Sequence, residues 1–112
     1  MSTLSTHVLN LVSGCPAAGM SVTLRQEGKL LFSGETNPDG RCPELKNTGA
    51  LEPGSYCLEF AVADYFRQQG TELSDPPFLD KVPLVFGISG SGGHYHVPLL
   101  VSPFGFSTYR GS

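Results

Sequence analysis

The chain has 112 residues and a formal net charge of −3, with 39% hydrophobic and only 15% charged residues. That length fits one domain over residues 1–112 with enough apolar content for a core. The charged share, well below the ~25% of an average domain, argues against disorder and against a solvated helical bundle. Seven scattered Lys and Arg form no basic patch, so nucleic acid is excluded as the expected partner. No run of about 18 apolar residues is present to cross a membrane as a helix.

Fourteen glycines and nine prolines favour turns over long helices. Over most of the chain the apolar pattern repeats every two residues, the period of a strand. Residues 4–12 are predicted as the first strand, with Leu4, Thr6, Val8, Asn10 and Val12 on one side and Ser5, His7, Leu9 and Leu11 on the other. A loop follows over 13–19, then a strand over 20–26 with Met20, Val22 and Leu24 alike. Glu27-Gly28 turns the chain into a strand over 29–36, and Asn37-Pro38-Asp39-Gly40 is a strong turn with Arg41 directly after it. Glu52-Pro53-Gly54 leads into a strand over 55–62 with Tyr56, Leu58 and Phe60 on one face. Residues 63–69 are the one helical candidate, ended by Gly70. After a loop over 71–79, residues 81–89 and 94–101 are predicted strands joined by Gly90–Gly93 as a hairpin. Pro83 and Pro98 inside them predict edges or bulges. Ser102-Pro103 turns the chain into a last strand over 105–110. The pattern predicts a mainly β protein: an antiparallel two-sheet sandwich of about eight short strands with one short helix.

The three cysteines, Cys15, Cys42 and Cys57, are an odd number without a C-x-x-C pair. This favours a reducing compartment over a disulfide framework. Cys57, inside an apolar segment, is expected to be a core residue. The first ten residues show neither the charged start nor the apolar stretch of a secretory signal, so a cytoplasmic location is expected. Chemistry-bearing residues are few. His94 and His96 share a strand face by their spacing, which suits a general base or part of a metal site. His7 sits on the first strand. Arg41 offers a planar fork of donors for a polar or anionic ligand, and Tyr109-Arg110-Gly111-Ser112 gathers a hydroxyl, a cation and a carboxylate at the chain's end.

Three stretches together resemble the transthyretin-like family: Leu4-Ser5-Thr6-His7-Val8-Leu9-Asn10, Asp39-Gly40-Arg41-Cys42, and His94-Tyr95-His96-Val97-Pro98-Leu99-Leu100-Val101-Ser102-Pro103 with Phe104–Ser112. A helix at 63–69 after a strand fits that fold as well. The ending Tyr-Arg-Gly-Ser is similar to the family's hydrolytic branch, and the hormone carriers lack it and the catalytic histidines. Asn10 stands where members of the branch often carry Asp.

The resemblance implies a two-sheet sandwich assembled as a homotetramer, a dimer of dimers, around a central channel. It implies hydrolysis of the cyclic amide of 5-hydroxyisourate, a small-molecule substrate, with no cofactor and no metal. Carried over, the catalytic set falls on His7, Arg41, His96 and Tyr109, and substrate binding on Arg41, Arg110, Gly111 and Ser112. His96 is expected to take a proton from water, with His7 positioning that water or sharing the transfer. Arg41 or Arg110 would steady the oxyanion or grip the ring, and Tyr109 would hydrogen-bond substrate or a histidine. Ser112 would act through its terminal carboxylate as well as its hydroxyl, so an extended C-terminus is expected to impair the site. His94 is read as a supporting or exposed residue. The alternatives are a non-catalytic carrier of small molecules, a metal site on His94 and His96 with His7, and a purely structural domain.

Overall fold

The computed structural model describes residues 2–111. β1 (Ser2–Asn10) carries the expected alternation: Ser2, Leu4, Thr6, Val8 and Asn10 are buried, while Thr3, Ser5, His7 and Leu9 look outward. It stops short of Val12 because Asn10 turns the chain. The Asn10 Oδ1 accepts the backbone N–H of Val12 at 2.9 Å and of Ser13 at 3.3 Å, and its Nδ2 donates to the Tyr65 hydroxyl at 3.1 Å. Leu11 and Val12, expected in the strand, are exposed in that turn. The stretch read as a loop holds a two-residue strand, β2 (Cys15–Pro16), paired antiparallel with the end of β1.

β3 (Ser21–Gln26) and β4 (Lys29–Glu35) form a hairpin, and a 3₁₀ helix that the strand period did not announce spans Pro43–Thr48. β5 (Gly54–Ala61) runs into the helix α1 (Val62–Gln68), with Gly70 at φ 82° just beyond it. β6 (Lys81–Ile88), β7 (Gly93–Ser102) and β8 (Gly105–Thr108) complete the chain. Two four-stranded sheets result, ordered β2-β1-β7-β8 and β4-β3-β5-β6. Between them lie Leu4, Val8, Val97, Leu99 and Val101 from the first sheet and Val22, Leu24, Leu58, Phe60 and Val82 from the second. Val62, Ala63, Tyr65 and Phe66 of α1 are buried against that core.

Four local expectations are corrected. Gly90–Gly93 is no hairpin: β6 and β7 belong to different sheets, so these glycines carry a crossover. Tyr95 ties it down, its hydroxyl accepting the Ser89 N–H at 3.0 Å. β1 and β7 pair in parallel, the one parallel pair among the described strands, because the chain returns to β1 from the other sheet. Pro83 does lie on an edge strand, but Pro98 sits on the inner strand β7. Cys57 faces outward and is only half-buried; the buried thiol is Cys42, which burial and then the nearby Glu44 push up to about 11.

Candidate active site

The parallel register sets Thr3 beside His94, Ser5 beside His96 and His7 beside Pro98. Residues paired this way show their side chains on the same face. The outward face of β1 and β7 therefore carries Thr3, Ser5, His7, His94 and His96 in two adjacent rows. The Ser5 Oγ lies 2.8 Å from His94 Nε2 and 2.8 Å from His96 Nδ1, and Thr3 Oγ1 lies 2.6 Å from His94 Nδ1.

Arg41 reaches this face through the Asn37–Gly40 turn. The Asn37 Oδ1 accepts from the Asp39 N–H at 2.9 Å and the Arg41 N–H at 3.0 Å, and the Gly40 N–H closes the turn on the Asn37 carbonyl at 2.8 Å. Gly40 has φ +75°, and its carbonyl accepts the Val8 N–H at 2.8 Å. A Cβ there would lie 2.5 Å from the Val8 carbonyl oxygen, so only glycine lets the turn press against β1. The outcome is a bridge between His7 and Arg41.

The tail arrives from the other side. The register that pairs Leu99 with Thr108 carries on to pair His96 with Gly111, whose N–H donates to the His96 carbonyl at 2.8 Å. The ladder lapses between them at Pro98, which has no N–H; its carbonyl is taken by the Thr108 hydroxyl at 2.6 Å. Gly111 lies against the imidazole itself: a Cβ on it would sit 2.5 Å from His96 Cδ2.

His96 is half-buried, and its pKa is held below 6.5. Burial is the main cause, followed by like-charge repulsion from Arg41, then His7 and His94. The imidazole is therefore biased toward its neutral form, the form that can accept a proton. Among the described residues, no group of three or more His, Cys, Asp or Glu gathers to hold a metal ion. The arrangement offers proton transfer at His96 and charge stabilisation at Arg41.

A family model matches residues 4–111. The chain belongs to the HIUase/Transthyretin family. Its relative in Mesorhizobium japonicum, named 5-hydroxyisourate hydrolase, is 52% identical over 97% of this chain and 91% of that protein. The solved 5-hydroxyisourate hydrolase of Klebsiella pneumoniae superposes with a TM-score of 0.87 at 38% identity, over 100% of both chains. The transthyretin of Sparus aurata superposes at 0.83 with 28% identity, over 96% of this chain and 95% of that one.

Of the residues that the family resemblance singled out, the fold brings His7, Arg41, His96 and Gly111 together. Arg110 turns to the other face, its guanidinium 4.0 Å from the Tyr95 ring centroid, with one long hydrogen bond of 3.4 Å to the His94 carbonyl. Tyr109 is exposed, level with Pro98 by register, and no hydrogen bond among the described residues joins it to a histidine. Ser112 lies outside the described residues. Ser5 was missed as a site residue. Its signal was its place beside His7 in the outward alternation of β1, but its contacts needed the pairing with β7.

Proposed function

We propose that this protein hydrolyses the cyclic amide of 5-hydroxyisourate to 2-oxo-4-hydroxy-4-carboxy-5-ureidoimidazoline, a step in urate and purine breakdown. The observation that carries the proposal is the half-buried, neutral-biased His96 beside Arg41 and His7 on one sheet face. The names of full-length relatives support the same substrate. The carrier alternative finds no comparable support, its transthyretin match being the more distant one.

In this reading His96 takes a proton from water as its oxygen bonds to the amide carbon. The charge developing on the carbonyl oxygen is stabilised by Arg41, whose backbone the Asn37–Gly40 turn and the bridge to His7 hold beside this face. His96 then returns the proton to the ring nitrogen as the C–N bond breaks, so the imidazole ends neutral and one water has been added. His7 orients the water. Gly111 fixes the ring of His96, while Tyr109 and Ser112 bind the substrate's polar edge and Arg110, turned to the other face over the Tyr95 ring, anchors the tail instead. A positioned base is worth about 10²–10⁴ in rate, which sets the scale of loss expected on removing it. The reading includes a homotetramer, a dimer of dimers, in the cytoplasm; three free thiols among the described residues suit a reducing compartment.

The test is the absorbance decay of fresh 5-hydroxyisourate, generated in place by urate oxidase. Wild type should accelerate the decay, and His96→Asn should fall about a hundredfold or more toward the spontaneous rate. Wild-type decay equal to buffer would end the hydrolase reading.

A further inference from the structure

Ser5 stands between two imidazoles, 2.8 Å from His94 Nε2 and 2.8 Å from His96 Nδ1. A serine hydroxyl has one proton and can donate it to one nitrogen at a time. With both contacts made, one ring accepts from Ser5 and the other donates to it. The two tautomers are thereby coupled, and the far nitrogen of His94 is engaged in turn by Thr3 at 2.6 Å. We propose that Ser5 and His94 are positioning residues that hold the free lone pair of His96 on Nε2.

In that order His96 donates its Nδ1–H to Ser5, Ser5 donates to His94 Nε2, and His94 donates its Nδ1–H to the Thr3 oxygen. The reverse order puts the His96 proton on Nε2, the nitrogen that Ser5 leaves free, and the ring then has no lone pair to meet a water. The choice between the two orders rests on the hydrolase reading. The groups facing His96 are His7 and Ser5 from β1, His94 from β7, Arg41 from the turn and Gly111 from the tail. None of them except Ser5 makes a hydrogen bond to the His96 ring among the described residues, so the tautomer depends on that hydroxyl. No proton leaves through Ser5: the proton taken at Nε2 from water goes back to the substrate's ring nitrogen.

The test joins ¹⁵N NMR of histidine-labelled protein, at a pH where the imidazoles are neutral, with steady-state kinetics. Wild type should show His96 protonated on Nδ1 alone. Ser5→Ala should show both tautomers and lose about tenfold in kcat with KM within about twofold, a part of the base's full worth. Ser5→Thr, which keeps the hydroxyl, should restore both readouts. His94→Ala should cost less, and Ser5→Ala with His94→Ala no more than Ser5→Ala alone, because His94 acts through Ser5. A wild-type His96 protonated on Nε2, an unchanged tautomer in Ser5→Ala, or additive losses in the double variant would overturn the assignment. A protein that holds the Nδ1–H tautomer yet does not hydrolyse 5-hydroxyisourate would overturn the hydrolase reading, with the positioning role upheld by the spectrum.

Discussion

His96 is surrounded by groups that oppose a positive charge on it. Burial acts first, then the Arg41 guanidinium, His7 and His94. Each favours the neutral ring, so its pKa falls and the ring keeps its lone pair at a lower pH than a free imidazole would. The acid limb of kcat/KM should accordingly lie below 6.5, the ordinary histidine value. Replacing Arg41 with Gln removes a cation and leaves burial in place. The limb should then shift to higher pH without reaching that of an exposed histidine. An NMR titration of the His96 ring should move the same way; a limb that stays fixed in Arg41→Gln would separate the guanidinium from this effect. Asn10 shows a different use of a polar residue. With an amide it donates to Tyr65 and accepts from the next turn at once, whereas a carboxylate there could only accept and would need the tyrosine to donate.

At the scale of elements, the site is assembled by pairing between distant segments. His7, His96 and Arg41 were legible as residue types on strands and after a turn, and the alternation in β1 placed Ser5 and His7 on one face correctly. What was not legible is the contact between the ends of the chain. Local patterns favour a hairpin wherever two strand runs flank a glycine-rich link, and they misread Gly90–Gly93 because nothing local records that β7 joins the other sheet, beside β1. Gly111 was named for substrate binding, but its place against the His96 ring was hidden for the same reason: it follows from a register carried past Pro98, not from its neighbours in sequence. Its substitution tests the element. Gly111→Ala would bring a Cβ to 2.5 Å from His96 Cδ2, so the ring or the tail must shift. A misplacement on the order of 1 Å can cost up to about a hundredfold in rate. We expect kcat/KM to fall by about ten- to a hundredfold with the melting temperature nearly unchanged, since the tail adds little to the core. Equal activity in Gly111→Ala would show that the tail does not fix the imidazole.

At the scale of the molecule, a lone chain leaves much apolar surface in water. Leu11 and Val12 follow β1, Phe104 follows β7, and the Asn10–Val101 pairing brings those two turns to the same end. Phe78 joins them, its ring 6.2 Å from that of Phe104. Val85 on the edge strand β6 and Phe106 on the edge strand β8 are exposed as well. With only 15% charged residues, there is little to keep such surfaces apart in solution. The outward face that carries His7 and His96 is likewise open, and electrostatic stabilisation by Arg41 gains strength when water is excluded. Docking of further copies would cover the apolar end and close this face together. If the copies number four, as in the proposed homotetramer, light scattering on the eluting protein should give four times the 11.9 kDa of the chain. Val12→Arg combined with Phe104→Arg should bring the mass to half of that or less and lower kcat/KM in parallel, because both substitutions charge the apolar end that the proposed tetramer would cover. Full activity in the smaller species would show that one sandwich, or a pair, shields the site unaided, and a wild-type protein that elutes as a monomer would refute the tetramer.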